Sequence, residues 1–269
     1  MDAASVEKTV SKPAQVPPGP PRLLLLTRQI APFLATALLV GVALLISGCA
    51  TAQSVDLARG AGSRIRKVAL MPVDPPVNVL VMNIGGGASM FGAIGGLIQG
   101  ADNSEKSKAY KELMIERGVQ LDRPLTAALR DQLKRSGYEV TLITDQKPKV
   151  SADGRTKNFK EIRTDADAIL VVSVGAVGYI SGQFSTYYQP WVAATAVLFD
   201  ARTKEVLYTK TFSAGFKMKV KNAVHIETAE RYKFPSYDEL SGHFDESING
   251  LVDGEMLIAG QVAEDLKLN

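Results

Sequence analysis

The single thiol in this 269-residue chain is Cys49, which follows Ile46, Ser47 and Gly48 at the close of a charge-free run from Gln29 to Gly48. With no second cysteine there is no disulfide, no CxxC redox pair and no thiolate metal cluster, so its chemistry is that of one alkylatable sulfur at an apolar exit. The two histidines are isolated. His225 falls in an irregular basic stretch, and His243 falls on a predicted terminal helix beside Phe244 and Asp245, with no ligand cluster accompanying either. The carboxylate pairs Asp238/Glu239 and Asp245/Glu246 are sequence neighbours, as on a solvated helix face. Neither a Gly-x-Ser-x-Gly elbow nor a His-Glu-x-x-His motif is present. Gly87 and Gly92 have phosphate-loop spacing, but Ala93 and Ile94 stand where such a loop needs Lys and Ser/Thr. No catalytic residue, metal or cofactor is therefore assigned from the sequence.

The segment that positions Cys49 is patterned for export. Residues 1–28 are largely polar and Pro-rich, Arg22 and Arg28 are the last charges, and Leu38 to Ile46 is almost wholly aliphatic. A basic flank, an apolar stretch and a small-residue exit describe a secretory signal peptide. Two other readings stay open: a retained membrane anchor, since about 20 apolar residues span a bilayer core, and ordinary cleavage in which Cys49 carries no modification. Ile46-Ser47-Gly48-Cys49 resembles the lipobox of bacterial lipoproteins. That resemblance implies cleavage before Cys49 and a covalent diacylglycerol with an N-acyl chain (palmitate or its like) on Cys49. Several acyl chains, at about 0.8 kcal/mol per buried methylene, hold a protein durably on a bilayer. The resemblance also makes Ala50 a sorting residue that implies the periplasmic face of the outer membrane, with the periplasmic face of the inner membrane as the alternative.

The organisation expected is a signal peptide over 1–48, a lipidated cysteine and tether over 49–65, and one periplasmic α/β domain over 66–269. Removing Lys8, Lys12, Arg22, Arg28, Asp2 and Glu7 from totals of 31 basic and 28 acidic residues leaves 27 against 26 in the mature part. That balance gives no electrostatic case for nucleic acid. Lys67–Asp74 reads as a buried strand stopped by Pro72, and Val77–Met82 as its continuation or a second strand. Residues 123–136 read as a helix with Asp122 as N-cap, Leu125, Leu129 and Leu133 on one face and Gly137 behind it. Tyr138–Ile143, Ala166–Val174, Trp191–Phe199 and Glu205–Phe212 read as strands, the last two as an antiparallel hairpin, and Tyr237–Leu266 as a closing helix. The order gives a mixed sheet flanked by helices, an α/β (α+β) fold. In order and pattern, Lys67–Val73, the helix-to-strand passage at Gly137-Tyr138, Ala166–Val174 and the hairpin around Asp200–Tyr208 resemble a family of periplasmic folds. These are the curli-secretion channel lipoprotein, the penicillin-binding-protein activator lipoprotein and the N-terminal domain of TolB.

Two further features bear on partners. A glycine-rich apolar insertion over about 84–101 places Gly92, Gly96 and Gly100 four apart, behind Ala88. On a helix such a glycine-zipper spacing lets another backbone approach closely, although each glycine costs about 1 kcal/mol against alanine. Packing within the monomer, association and contact with a bilayer all remain open for it. Tyr187, Tyr188 and Trp191, near Tyr179 and Phe184, either staple a hairpin or form an exposed aromatic contact. Lys217, Lys219 and Lys221 alternate as on a protected edge strand. The expected function is a non-enzymatic outer-membrane lipoprotein that binds or assembles with an envelope partner. A self-assembling lipoprotein using the glycine-rich segment is the alternative, and a periplasmic enzyme is third.

Overall fold

The computed structural model describes residues 54–57, 64–85, 92–151, 157–182, 185, 187–217 and 222–267, the side chains of 92–101 excepted. Nine strands and four α-helices are formed among them: β1 (Lys67–Leu70), β2 (Asn78–Asn83), α1 (Gly92–Glu116), α2 (Asp122–Arg135), β3 (Glu139–Leu142), β4 (Lys149–Val150), β5 (Lys157–Asn158), β6 (Ala168–Ser181), β7 (Tyr188–Asp200), β8 (Val206–Gly215), β9 (Ala223–Ile226), α3 (Tyr237–Gly242) and α4 (Phe244–Asp265). The main sheet runs β3-β1-β6-β7-β8-β9, and β4 and β5 pair separately. Neighbours β3, β1 and β6 are parallel, β6-β7 and β7-β8 antiparallel, and β8-β9 parallel. The mixed α/β fold and its central hairpin are thus as expected from the sequence.

The first strand proves to be two. β1 and β2 follow one another along the same edge of β6, with Leu70 opposite Leu170 and Asn78 opposite Ala176. Eight residues of chain are spent against six of β6, because Pro72, Pro75 and Pro76 cannot donate to a ladder. The displaced chain is caught by α2, where the Val73 N–H donates to Thr126 Oγ1 at 3.0 Å.

One face of the sheet carries all the helices. Leu125, Leu129 and Leu133 of α2 and Leu251, Ile258 and Val262 of α4 pack into one core with Leu170, Val172, Val192 and Phe212. β6 enters this core through Ala168, Leu170, Val172 and Val174, then through Val177 and Tyr179. The alternation changes phase because the register shifts between Val174 and Ala176, leaving Gly175 as the extra residue of a β-bulge. Buried hydroxyls fix α4 across this core: Tyr110 Oη lies 2.7 Å from Ser247 Oγ, and Tyr179 Oη donates to the Ser247 carbonyl at 2.8 Å.

Two local expectations are corrected. Asp122 is the first helical residue of α2, not its N-cap; Leu121 occupies that position and supplies no side-chain hydrogen bond. The terminal helix is broken at His243, whose non-helical backbone separates α3 from α4. Ser236 begins α3 by accepting from the Glu239 N–H at 3.1 Å. No helix among the described residues is long and apolar enough to cross a membrane.

Candidate functional site

The face of the sheet opposite the helices holds a concavity at the ends of two strands. Where β1 ends, Met71 still donates its N–H to the Leu170 carbonyl at 3.0 Å; where β3 ends, Ile143 donates to the Leu70 carbonyl at 3.1 Å. Both strands then stop, and their carboxyl ends open onto a pocket of about 340 Å³ floored by Met71, Ile143, Phe159 and Val171. The chain passes from β1 to β3 on one side and later to β6 on the other, so the pocket lies where the strand order reverses. Crevices at such carboxyl ends are the usual ligand positions of open α/β sheets, and the volume falls within the ligand-pocket range of about 300–1,000 Å³.

The wall opposite β1 is the connection from Thr144 to Val150 and the two-residue pair β4-β5. Its hold on the domain is polar. Gln146 uses both ends of its amide on Arg163, donating to the carbonyl and accepting from the N–H at 2.8 Å each. Lys149 pairs with Glu161 at 2.7 Å, and Lys157 pairs with Asp74 across the pocket mouth. Below, the Phe159 and Phe199 rings pack with centroids 5.5 Å apart. Lys147, on the rim, is exposed and has no hydrogen-bond or ion-pair partner among the described residues. Apolar floor and charged rim together can hold a small amphipathic ligand or an inserted side chain. Among the described residues, no histidine or cysteine lines the pocket and its lining forms no nucleophile–base pair.

A second unusual group lies inside the helical layer. Glu255 of α4 is fully buried, and both carboxylate oxygens lack a hydrogen-bond partner among the described residues. Burial, reinforced by the Asp122 carboxylate, pushes its pKa up to about 9, so the side chain is a neutral acid at pH 7. Elsewhere carboxylates are stabilised as anions. Asp200 accepts the Thr203 and Arg202 N–H groups at 2.7 and 2.8 Å in the β7-β8 turn, and these donors hold its pKa below the ordinary value.

The residues singled out by sequence are scattered. Ile46, Ser47, Gly48, Cys49 and Ala50 lie outside the described residues, as do Ala88, Phe184, Lys219 and Lys221. Gly92, Gly96 and Gly100 all fall on the helical backbone of α1. Of the aromatic group, Tyr187 is 50% exposed, whereas Tyr188 and Trp191 are buried at 3% and 6%. Tyr188 pairs through its backbone with Phe234, and Trp191 Nε1 donates to Ser213 Oγ at 3.1 Å, so these two staple the sheet and do not form a surface. His225 lies on β9, not in an irregular stretch. His243 is half exposed, stacks near Phe234 and directs Nδ1 to the Glu239 carbonyl at 3.0 Å. No group of three metal-ligating side chains occurs among the described residues. Glu255 and the pocket were missed. Glu255 was accessible to pattern reading, since it sits four residues after Leu251 and three before Ile258, on the apolar stripe itself.

No protein-family model matches the chain, and no curated protein matches it. Among solved structures it is similar to the PelC dodecamer from Paraburkholderia phytofirmans, at 13% identity over 81% of this chain and 95% of that chain, with a TM-score of 0.35. It is similar to protein CT253 from Chlamydia trachomatis at 13% identity, covering 76% and 98% of the two chains, with a TM-score of 0.32. It is also similar to lipoprotein GNA1162 from Neisseria meningitidis at 15% identity, covering 56% and 83%, with a TM-score of 0.29. Likeness at this level carries no argument about activity.

Proposed function

We propose that this chain is a cell-envelope lipoprotein, anchored through Cys49 at the periplasmic face of the outer membrane, whose α/β domain binds an envelope partner without catalysing a reaction. The observation that carries the anchor is Ile46-Ser47-Gly48-Cys49 at the end of an uncharged run. The partner surface is assigned to the pocket at the ends of β1 and β3, which joins an apolar floor to the exposed Lys147. β3 is an edge strand with Leu142 39% exposed, so a partner reaching the pocket also meets unpaired backbone groups. The alternative of self-assembly draws on the helical four-residue spacing of Gly92, Gly96 and Gly100 in α1.

Metabolic labelling with an alkynyl palmitate tests the anchor. Label should enter the wild-type chain and be absent from Cys49→Ala; equal labelling of both would sink the reading. A photo-crosslinker replacing Lys147 in intact cells tests the partner surface. The expected product is a discrete heterologous adduct that is lost on Val171→Trp, which fills the pocket floor. Recovery of only the protein's own dimer would instead favour self-assembly.

A further inference from the structure

Within the stem that follows Cys49, the described residues 54–57 meet the sheet. Val55 donates its N–H to the Thr209 carbonyl and accepts the Thr209 N–H, both at 2.9 Å, forming an antiparallel bridge to β8 at a position that β9, paired only with Thr211–Ala214, leaves uncovered. Asp56 Oδ1 lies 2.9 Å from Lys210 Nζ, which lies 2.9 Å from Asp265 Oδ2 as well. Tyr208 Oη donates to the same Asp265 oxygen at 3.0 Å, and Gln261 Nε2 donates to the other at 3.0 Å. Leu57 packs against the main core. The stem, β8 and the last turn of α4 therefore share one charge cluster whose inner members, Lys210 and Asp265, are only 20% and 14% exposed. The stem's own member, Asp56, is 80% exposed, so the Val55 bridge and Leu57 do most of the docking and the Asp56–Lys210 pair adds little.

We propose that Ser54–Leu57 is a clamp that makes the β8 edge the lipid-facing side of the domain and turns the pocket edge away from the bilayer. The proposal rests on acylation of Cys49. Six peptide steps separate Cys49 from Val55, a reach of about 20 Å at full extension, whereas a link free as far as β1 would reach about 60 Å. The register places the pocket opposite. Thr209 faces Val197, which faces Val171 of the pocket floor, so stem and pocket lie level along the strands. Across them, β1 and β3 are three and four strands from β8, about 14 and 19 Å away. A partner approaching from the periplasm thus meets β3 and the pocket first.

The test uses the full-length acylated protein in vesicles of phosphatidylethanolamine and phosphatidylglycerol carrying a headgroup acceptor dye. Because acylation blocks the native sulfur, Val206→Cys and Lys147→Cys each offer one thiol for a donor dye. Energy transfer should be at least twofold higher from position 206 than from 147. Val55→Pro with Asp56→Lys, which removes the bridge donor and repels Lys210, should bring the two sites close to equality. Equal transfer with the native stem, or an unchanged ratio in the stem variant, overturns the clamp. Flotation of the same samples separates the two readings: protein that does not float overturns acylation and the lipid-facing side with it, while floating protein with equal transfer overturns the clamp alone. If the stem variant unfolds, hydrogen exchange on the native-stem protein decides docking, with slow Val55 and Thr209 amides expected and fast ones fatal to the proposal.

Discussion

Raising the pH from 5 to 8 should destabilise the folded domain by about 4 kcal/mol through Glu255 alone. The carboxyl is fully buried in α4, with no donor to its oxygens among the described residues, and its pKa is pushed up to about 9 by burial and by Asp122. In the unfolded chain it titrates near 4.5. A group whose folded pKa is raised contributes its stability in full below the unfolded value and loses it as pH climbs towards the folded one. The window therefore runs from about 4.5 to about 9, with a slope of about 1.4 kcal/mol per pH unit in its middle. For a domain of this size the melting temperature should fall by about 10 °C between pH 5 and 8. Glu255→Gln keeps the shape and removes the titration, so the difference between the two pH profiles isolates this group from every other. Urea midpoints at pH 5, 6.5 and 8 check it; parallel profiles for wild type and Glu255→Gln would show that the carboxyl is not buried as described. Glu255→Met should be more stable than wild type at pH 8, since it replaces a group whose ionisation is opposed by burial.

Replacing Gly178 by alanine should cost more than about 3 kcal/mol and detach β2 from β6. Gly178 has φ +149°, and a Cβ built there would stand 1.7 Å from the Leu80 carbonyl oxygen and 2.7 Å from its carbon. Both are backbone atoms of the paired strand, so no rotamer relieves the clash. The loss extends beyond one ladder position. α1 is fastened to β2 by Ser107, which accepts from the Val81 N–H at 2.9 Å, and by Asn103, which accepts from the Asn83 N–H at 2.8 Å. Gly178→Ala should accordingly speed hydrogen exchange in α1 as well as in β2. Gly175→Ala is the control on the same strand, because its Cβ would meet only the Ala193 oxygen, at 3.9 Å. It should cost less than about 1 kcal/mol, and similar losses at both positions would refute the steric account.

Much of the framework was legible because it follows from short-range rules. Leu125, Leu129 and Leu133 mark α2 by spacing alone, and the β-branched run from Ala168 to Val174 marks a central strand, paired along both edges. The turn at Asp200 announces the β7-β8 hairpin because a carboxylate there can satisfy two backbone donors. The site was much less legible. Met71, Ile143, Phe159 and Val171 come from four separate stretches, and each alone reads as ordinary core. Their concavity exists because Pro72 ends β1 beside the end of β3, a coincidence of register that no local pattern contains. For Tyr188 and Trp191 the sequence left stapling and exposed contact open for the related reason that an aromatic beside a turn has the same sequence whether it faces solvent or the sheet, and burial shows the stapling role.

By itself the sequence determined the α/β class, most element types and the presence of a single thiol behind an uncharged apolar run, since charge, hydropathy and periodicity are properties of adjacent residues. Tertiary structure alone decided which face of the sheet stays open, that Glu255 is buried in the helical layer, and that Val55–Leu57 docks on β8. Each of those depends on residues tens to hundreds of positions apart meeting in one register, and burial and electrostatic environment are set only by that meeting.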